Sequence, residues 1–202
     1  MSKIGDPLRR AAFLDRDGVI NVDPGYVHRV EDFEFVPGTL EACRELARRG
    51  WLLVVATNQS GIGRGLYTVQ QFEALTEWMR ARFQQCNAPL AGVYFCPHHP
   101  TDALGGLRIR CDCRKPQPGM LLAAARDLSL DLERSVLFGD KCEDLQAAQA
   151  AGIANRILLG KDGRGLPEDR CGPGLVGARF ANLREAVASA QLAPILGDVI
   201  HA

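Results

Sequence analysis

Two aspartates, Asp15 and Asp17, lie one residue apart in "FLDRDGVIN" (13–21), directly after the apolar run "AAFL" (11–14). Carboxylates this close repel each other, and a solvated turn would explain them without any chemistry, because turns are rich in aspartate. If the fold holds them together instead, they are suited to cation binding and phosphate chemistry. The pair alone does not decide between these two interpretations.

Polar residues also follow two other apolar runs. The run "WLLVVAT" (51–57) ends in Thr57 and continues into Asn58, and "SVLFGD" (135–140) ends in Asp140. Open parallel sheets bind ligands at the carboxyl ends of their strands, so we expect these three ends to meet at one site. Several acids around one point need a cation, and hard oxygen ligands favour Mg²⁺. Together the three ends favour a magnesium-dependent phosphate site.

A second group of residues has the spacing of a metal site. Cys96-x-His98 and Cys111-x-Cys113 are two tight pairs on either side of residues 99–110. Three thiolates and one imidazole form a closed tetrahedral set that is typical of structural Zn²⁺. His99 is a competing ligand, and the residues alone prefer neither histidine. We therefore predict one zinc ion that fastens this loop and does no chemistry itself.

The other four cysteines have no partner spacing: Cys43, Cys86, Cys142 and Cys171. Disulfides are rare in cytoplasmic proteins, so the seven cysteines argue against a disulfide framework. Cys43 has the position of a small core residue on its helix. We predict no pairing and no function for the remaining three.

Apolar periodicity predicts an alternation of strands and helices, which indicates an α/β fold with a mainly parallel sheet. The predicted strands are 11–14, 51–57, 92–95, 135–140 and 155–160. The predicted helices are 39–50, 68–86, 119–128, 143–152 and 183–190. Residues 96–118 read as one long loop, and the glycine-rich residues 160–178 read as a mobile surface segment.

Composition excludes some classes of partner. The 202 residues carry no net charge, so there is no global field to attract nucleic acid or an anionic membrane, and phosphate-binding charge must be local. The start "MSKIGDPLRR" lacks the apolar stretch of a signal peptide, and no run is long enough to span a bilayer. We expect a cytoplasmic monomer whose partner is a small molecule.

Four motifs in order carry a family resemblance: "FLDRDG", "VVATN", the lysine of "CRKP" and "VLFGDKCED". The chain resembles the haloacid dehalogenase (HAD) superfamily of phosphatases. Within it, "LDRDGVIN", "NQSGIGRG" and the Cys/His loop resemble the D-glycero-D-manno-heptose 1,7-bisphosphate 7-phosphatases. The resemblance implies a Rossmann-like three-layer fold in one domain, 1–202, with a motif core 11–160 and a zinc loop 96–118. It also favours His98 over His99 as the zinc ligand.

The resemblance implies catalytic roles that agree with the chemistry of the residues. Asp15 would be the nucleophile that forms an aspartyl-phosphate, because an ionised carboxylate can attack phosphorus. Asp17 would be the general acid and base; it must start protonated, which the neighbouring carboxylate favours. Thr57 and Lys115 would contact the phosphoryl group. Magnesium would be held by Asp15, the backbone carbonyl of Asp17 and the side chain of Asp140.

Asp144, one helical turn after Asp140, is suited to hold Lys115 or a metal-bound water, although the helix dipole alone also explains an acid there.

Substrate contacts are expected from loops, because Gly18 and Gly38 are too close in sequence to enclose a helical cap, and no separate cap domain follows Thr57 either. We call residues 22–28, "VDPGYVH", the flap. Pro24 stands where the familiar enzymes often have histidine. Arginines match phosphate geometry and could grip a second phosphate. The predicted substrate contacts are Asp23, Gly25, Tyr26, Asn58, Gln59, Ser60, Arg64, Arg114 and Lys141.

The expected function is removal of the 7-phosphate of D-glycero-D-manno-heptose 1,7-bisphosphate. That reaction belongs to the biosynthesis of ADP- or GDP-heptose precursors of lipopolysaccharide core or related glycans. A histidinol-phosphate phosphatase is the alternative, but it binds an imidazole and an amine, and two arginines favour a bisphosphate. A receiver-type signalling domain also phosphorylates an aspartate, yet it does not need Asp17. A zinc-stabilised interaction module would leave Asp15, Thr57 and Asp140 unexplained.

Overall fold

Six strands form one parallel sheet in the order β3-β2-β1-β4-β5-β6. The computed structural model describes residues 8–166, 168 and 171–197. The strands are β1 (Ala11–Leu14), β2 (Leu52–Asn58), β3 (Leu90–Cys96), β4 (Val136–Gly139), β5 (Asn155–Leu159) and β6 (Ala178–Phe180). The helices are α1 (Thr39–Arg48), α2 (Ser60–Gly63), α3 (Val69–Gln85), α4 (Gly119–Leu128), α5 (Cys142–Ala150), α6 (Leu183–Ala188) and α7 (Ala193–Leu196). Short 3₁₀ turns lie at Val30–Asp32, Gly105–Leu107 and Lys161–Gly163.

The central strand is buried on both faces, which explains its continuous apolar sequence. Ala12 and Leu14 point into a core that includes residues of α1, α3 and α6. Ala11 and Phe13 point the other way, into a core with α4 and α5. The result is the expected three-layer α/β arrangement, and the described residues form no separate cap domain.

Helix boundaries follow local sequence signals. Thr68 caps α3: its side chain accepts from the Gln71 N–H, and the Gln71 side chain accepts from the Thr68 N–H. Gly50 follows α1 with φ 78°, a conformation that glycine adopts without steric cost. Among the described residues, no helix combines the length and apolar character that crossing a membrane requires.

All ten predicted strands and helices are present, and none of their ends differs from the prediction by more than two residues. The pattern missed α2, β6 and α7, each of which has only three or four residues. Such elements are too short to show a periodicity of their own.

The described part of residues 160–178, which were expected to form a mobile surface segment, contacts the sheet, and its mobility stays a prediction. β6 pairs with β5 at the sheet edge. The Arg156 guanidinium donates to the Leu175 carbonyl at 2.8 Å and to the Gly174 carbonyl at 3.1 Å. Its glycines give the segment the composition of a loop. The pairing of β6 with β5 and the hydrogen bonds from Arg156 nevertheless attach it to the sheet. Residues 167 and 169–170 lie outside the described part of the chain.

The prediction that Cys142 and Cys171 are unpaired is wrong. They form a disulfide across a sequence separation of 29 residues. Cys142 begins α5, and the chain returns beside that helix start only after β5 is complete. Because the fold brings the two thiols together, their spacing in the sequence carries no signal.

The strand order reverses direction between β1 and β4, which are neighbours in the sheet but distant in sequence. In a doubly wound sheet this switch point opens a crevice at the carboxyl ends of the strands. Asp15 follows β1 there, and Asp140 follows β4. The fold therefore places the two acids that the sequence analysis joined on neighbouring strand ends.

Candidate active site

A cavity of about 450 Å³ lies at the carboxyl edge of the sheet. It brings together every predicted catalytic and substrate residue except Arg64. The residues from that prediction that line it are Asp15, Asp17, Asp23, Gly25, Tyr26, Thr57, Asn58, Gln59, Ser60, Arg114, Lys115 and Lys141. Residues at or after the ends of β1, β2 and β4, together with the loop that carries Arg114 and Lys115, thus share one open site, as the convergence of strand ends predicts.

Lys115 is the charged centre of the cavity floor. It is only 4% exposed, and its Nζ lies 2.9 Å from Asp15 Oδ1 and 2.6 Å from Asp144 Oδ1. It also donates to the Ala56 carbonyl at 2.8 Å. Burial opposes the charge, but the carboxylates of Asp144 and Asp15 offset it and raise the pKa of Lys115. The site therefore holds a fixed ammonium beside the predicted nucleophile.

Asn58 fixes the backbone of Lys115. Its side-chain Oδ1 accepts from the Lys115 N–H at 3.0 Å, and its Nδ2 donates to the Lys115 carbonyl at 3.1 Å. This pair of bonds ties the end of β2 to the loop that carries the lysine. The side chain predicted to bind substrate is thus engaged in positioning Lys115.

Asp140 has the surroundings of a cation ligand. Both of its carboxylate oxygens are buried without a hydrogen-bond partner among the described residues. Burial, followed by the charge of Asp15, raises the pKa of Asp140 to about 8. Asp15, Asp140 and Asp144 each offer an oxygen within 4.8 Å of the others. Hard oxygen donors in need of positive charge fit Mg²⁺.

The turn after β1 leaves room for the Asp140 side chain only because residue 18 is glycine. A Cβ at Gly18 would overlap Asp140 Oδ2, and the φ of +94° is one that other residues rarely adopt. The turn therefore fixes both the spacing of the aspartates and the approach of Asp140.

Asp17 is surrounded by donors. Arg16 contacts Asp17 Oδ1 through Nε at 3.0 Å and Nη2 at 2.8 Å. Asn21 Nδ2 donates to the same oxygen at 3.1 Å, and Gln59 Nε2 donates to Asp17 Oδ2 at 2.9 Å. The structure thus presents Asp17 as a hydrogen-bond acceptor, and the protonated starting state expected from the sequence stays a prediction.

Tyr67 is a site residue that the sequence analysis missed. It lines the cavity, and its hydroxyl donates to Gln59 Oε1 at 2.5 Å. Its ring stacks on the flap residue His28, with centroids 4.8 Å apart and planes 6° from parallel. Only the three-dimensional packing reveals it, since a tyrosine after a glycine-rich turn has no motif around it.

The flap is held at both ends. The Val27 carbonyl accepts from Arg16 Nη2 at 2.7 Å. At the other end, the Asp23 N–H donates to Asp162 Oδ1 at 2.8 Å, and the Asp162 N–H donates to the Gly18 carbonyl at 2.9 Å. Asp162 was not predicted either, because it comes from the segment expected to be mobile.

Charged groups mark the rim. Asp23 lies 4.0 Å from Lys141 Nζ and 3.7 Å from Lys161 Nζ, so the predicted substrate contact Lys141 is joined by an unpredicted second lysine. Arg114 lines the cavity and donates to the His98 carbonyl at 3.2 Å. Arg64 differs from the prediction: it forms an ion pair with Asp102 at 2.8 Å and is not among the residues that line the cavity.

The Cys/His cluster could hold zinc. Cys96, Cys111 and Cys113 have Sγ–Sγ distances of 3.1–3.5 Å, and His98 Nδ1 lies 3.3 Å from Cys113 Sγ. A tetrahedral Zn–S site has edges of roughly 3.8 Å, close to these values. His99 is outside the cluster, because its Nδ1 accepts from the Asp102 N–H at 3.0 Å. The geometry selects His98, the histidine favoured by the resemblance.

Comparison with known proteins gives the same family. The HAD-hydrolase-like family model matches residues 112–174. Over 149 residues the chain is 53% identical to the D-glycero-β-D-manno-heptose-1,7-bisphosphate 7-phosphatase of Escherichia coli K12, covering 74% of this chain and 78% of that protein. The Yersinia pestis protein of the same name is 51% identical over 149 residues, with 74% and 79% covered.

Two solved structures also resemble the chain. An HAD-like phosphatase from Mesorhizobium loti superposes with a TM-score of 0.77 at 33% identity, covering 97% of this chain and 88% of that one. The D,D-heptose 1,7-bisphosphate phosphatase of B. bronchiseptica, solved with magnesium and phosphate, gives 0.74 at 33% identity, with 92% and 98% covered. The chain therefore belongs to the HAD superfamily of phosphatases and, within it, to the family of the D-glycero-β-D-manno-heptose-1,7-bisphosphate 7-phosphatases.

Proposed function

We propose that the protein hydrolyses the 7-phosphate of D-glycero-β-D-manno-heptose 1,7-bisphosphate in the synthesis of nucleotide-activated heptose for lipopolysaccharide core or related glycans. The observation that carries the proposal is a cavity lined by cationic side chains besides Lys115. Lys115 lies on the floor beside Asp15, Lys141 lies 3.9 Å from Asp140, and Arg114 lines the cavity from the loop that carries the cysteines. In our proposal a substrate with two phosphates places one at the nucleophile and the other against Arg114.

Asp15 is oriented for attack through its second oxygen. Its Oδ1 accepts from Lys115 Nζ at 2.9 Å and from the Arg16 N–H at 2.8 Å. No hydrogen bond to Oδ2 is present within the described part of the chain. In our proposal Oδ2 bonds to phosphorus while the bond from phosphorus to the C7 oxygen breaks, giving an aspartyl-phosphate.

Asp17 carries the proton in both halves of the reaction. It donates to the departing C7 oxygen, and later takes a proton from the water that attacks the aspartyl-phosphate and releases inorganic phosphate. Thr57 donates its hydroxyl hydrogen to the phosphoryl group, and Lys115 stabilises the charge on it. Asp15, the Asp17 carbonyl and Asp140 would hold Mg²⁺, which supplies positive charge between nucleophile and phosphate.

For the Cys/His cluster we propose a structural zinc ion. Cys96, His98, Cys111 and Cys113 would close its coordination shell and leave no position for water. The ion would fix the loop that places Arg114 and Lys115, and so would act on catalysis only through their positions. We also propose a cytoplasmic monomer of one domain, 1–202. The absence of net charge supports only the part of this proposal that leaves out nucleic acid and membranes, since no global field attracts them.

A substrate panel tests the function. Phosphate release is measured with Mg²⁺ on both C1 anomers of heptose 1,7-bisphosphate, on histidinol phosphate and on fructose 1,6-bisphosphate. We expect kcat/KM to be at least about a hundredfold higher for a heptose bisphosphate, and ³¹P NMR to show that the 1-phosphate is retained. Asp15→Asn is the control and should lose several orders of magnitude in turnover while still folding. A preference for histidinol phosphate, or release of the 1-phosphate, would contradict the proposal.

A further inference from the structure

Gln59 lies between two groups of the proposed mechanism and a buried tyrosine. Its side chain is 1% exposed. Nε2 donates to Asp17 Oδ2 and to Thr57 Oγ1, both at 2.9 Å, and Oε1 accepts from the Tyr67 hydroxyl. Both N–H groups and the carbonyl oxygen of the amide are therefore used inside the protein. A residue predicted to bind substrate has instead the contacts of a positioning residue.

The direction of the hydrogen bond from Gln59 to Thr57 determines where the Thr57 hydroxyl can donate its hydrogen. A hydroxyl group has one hydrogen to donate and two lone pairs that accept. Because Gln59 donates to Thr57 Oγ1, one lone pair is occupied and the hydrogen does not point along that contact. The threonine hydrogen is thereby left free to donate to a phosphoryl oxygen.

The direction matters equally for Asp17. A side-chain amide can flip, which exchanges its donor and acceptor ends. In the flipped state Gln59 would present its oxygen to Asp17, and a protonated Asp17 would then donate its hydrogen to Gln59. Tyr67 opposes this flip, because its hydroxyl donates to Oε1 and holds that oxygen away from the acid.

Packing fixes the tyrosine in turn. One side of the Tyr67 ring stacks on His28 of the flap. The ring also lies against Gly61, where even a single methyl group would overlap it. Burial raises the pKa of Tyr67 to about 12, so its hydroxyl remains a donor across the physiological range.

We propose that Tyr67 and Gln59 are positioning residues that keep the proton of Asp17 directed at the leaving group and the hydroxyl of Thr57 directed at the phosphoryl group. The inference rests on the proposed function, because it takes the roles of Asp17 and Thr57 from it. In this scheme neither Tyr67 nor Gln59 touches the phosphorus or the leaving oxygen, and both act through Asp17 and Thr57. Their effect should therefore depend on how much the leaving group needs a proton.

The test compares Tyr67→Phe on two kinds of ester. With heptose 1,7-bisphosphate, whose leaving group is an alkoxide, kcat should fall about five- to tenfold at unchanged KM, as expected for loss of one hydrogen bond. With p-nitrophenyl phosphate, whose leaving group barely needs a proton, kcat should fall by less, because only the contact of Gln59 with Thr57 then affects the rate. In an Asp17→Asn background, Tyr67→Phe should no longer change the ratio of the two rates. An equal loss on both esters would overturn the proposal.

Two further variants keep the test decisive. Tyr94→Phe is the matched control, since it removes a hydroxyl that contacts Asp127 outside the cavity, and both rates should be unchanged. Gln59→Leu should reduce both rates, because Thr57 also loses a contact, but the alkyl ester should suffer more. If Tyr67→Phe does not fold, the rates of Gln59→Leu on the two esters provide the test instead. If the wild type prefers another alkyl phosphate, the proposed function fails, and the same ratio measured on that ester still tests Tyr67.

Discussion

Replacing Lys115 by methionine should expose the repulsion between the carboxylates of the site. Methionine keeps an unbranched apolar stem but removes the ammonium that contacts Asp15 and Asp144. Asp140, a third carboxylate with an oxygen within 4.8 Å of theirs, has no hydrogen-bond partner within the described residues. The variant thus leaves Asp15 and Asp144 without the buried ammonium that they share, in a cluster that already needs positive charge.

The size of the effect follows from burial. Removing one partner of a buried ion pair costs about 3–5 kcal/mol, because the remaining charge is desolvated and unpaired. For a chain of this size that corresponds to a fall in melting temperature of roughly 6–20 °C. Without the ammonium near the phosphoryl group, kcat should fall about 10²- to 10³-fold. Mg²⁺ should recover part of the stability, since it brings positive charge to the same acids.

A double variant separates stability from catalysis. Asp144→Asn removes one of the unpaired charges but keeps an oxygen that can accept from the Lys141 N–H, a bond that Asp144 makes at 3.1 Å. Lys115→Met/Asp144→Asn should therefore regain about 1–3 kcal/mol relative to Lys115→Met. Its kcat should stay low, because the ammonium is still missing.

Urea unfolding in EDTA and in Mg²⁺ measures the free energy of unfolding, and steady-state kinetics measure kcat. Lys161→Met is the control for stability: its ammonium is 54% exposed and 3.7 Å from Asp23, so its loss should cost under about 1 kcal/mol. If Lys115→Met unfolds within about 1 kcal/mol of the wild type in EDTA, or keeps more than roughly a tenth of kcat, the reasoning is refuted.

Three other substitutions test separate parts of the site. Asp17→Asn should cost far more turnover on alkyl phosphates than on nitrophenyl phosphate, and an equal loss would indicate a structural or metal-binding role. Cys113→Ser should lose the one zinc per chain that the ligand set predicts, and its melting temperature should fall. Its activity should be reduced chiefly through a higher KM. Metal analysis that finds no zinc in freshly purified wild type would contradict this prediction. Gly18→Ala should weaken Mg²⁺ binding measured by calorimetry, because its methyl group would displace the Asp140 carboxylate, and unchanged affinity would show that Asp140 is not a ligand.

The sequence was sufficient for the features that repeat a local pattern. Apolar runs marked the long strands, and the polar residues after them marked the shared edge at which Asp15, Thr57 and Asp140 lie. The two Cys/His pairs were visible because metal ligands on one loop have short, characteristic spacings. In each case the information lies within a few residues of the chain.

Features that depend on distant segments could not be predicted in this way. Tyr67 matters because of a hydrogen bond to Gln59 and a stack on His28, and neither contact leaves a mark in the residues around it. The Cys142–Cys171 disulfide depends on where β5 returns the chain. Asn58 was correctly placed at the site, but its engagement with Lys115 required the geometry of the opposing loop.

The short flap has a consequence for the kinetic cycle. Within the described residues, the flap lines the cavity through Asp23, Gly25 and Tyr26, so we expect a loop movement to be enough to admit substrate and release product. Such movements take nanoseconds to microseconds, whereas domain closure takes microseconds to milliseconds. Turnover numbers typical of enzymes correspond to roughly milliseconds to a second per cycle, which is slower than such a loop movement. Opening of the flap is therefore not expected to be the slow step of this enzyme.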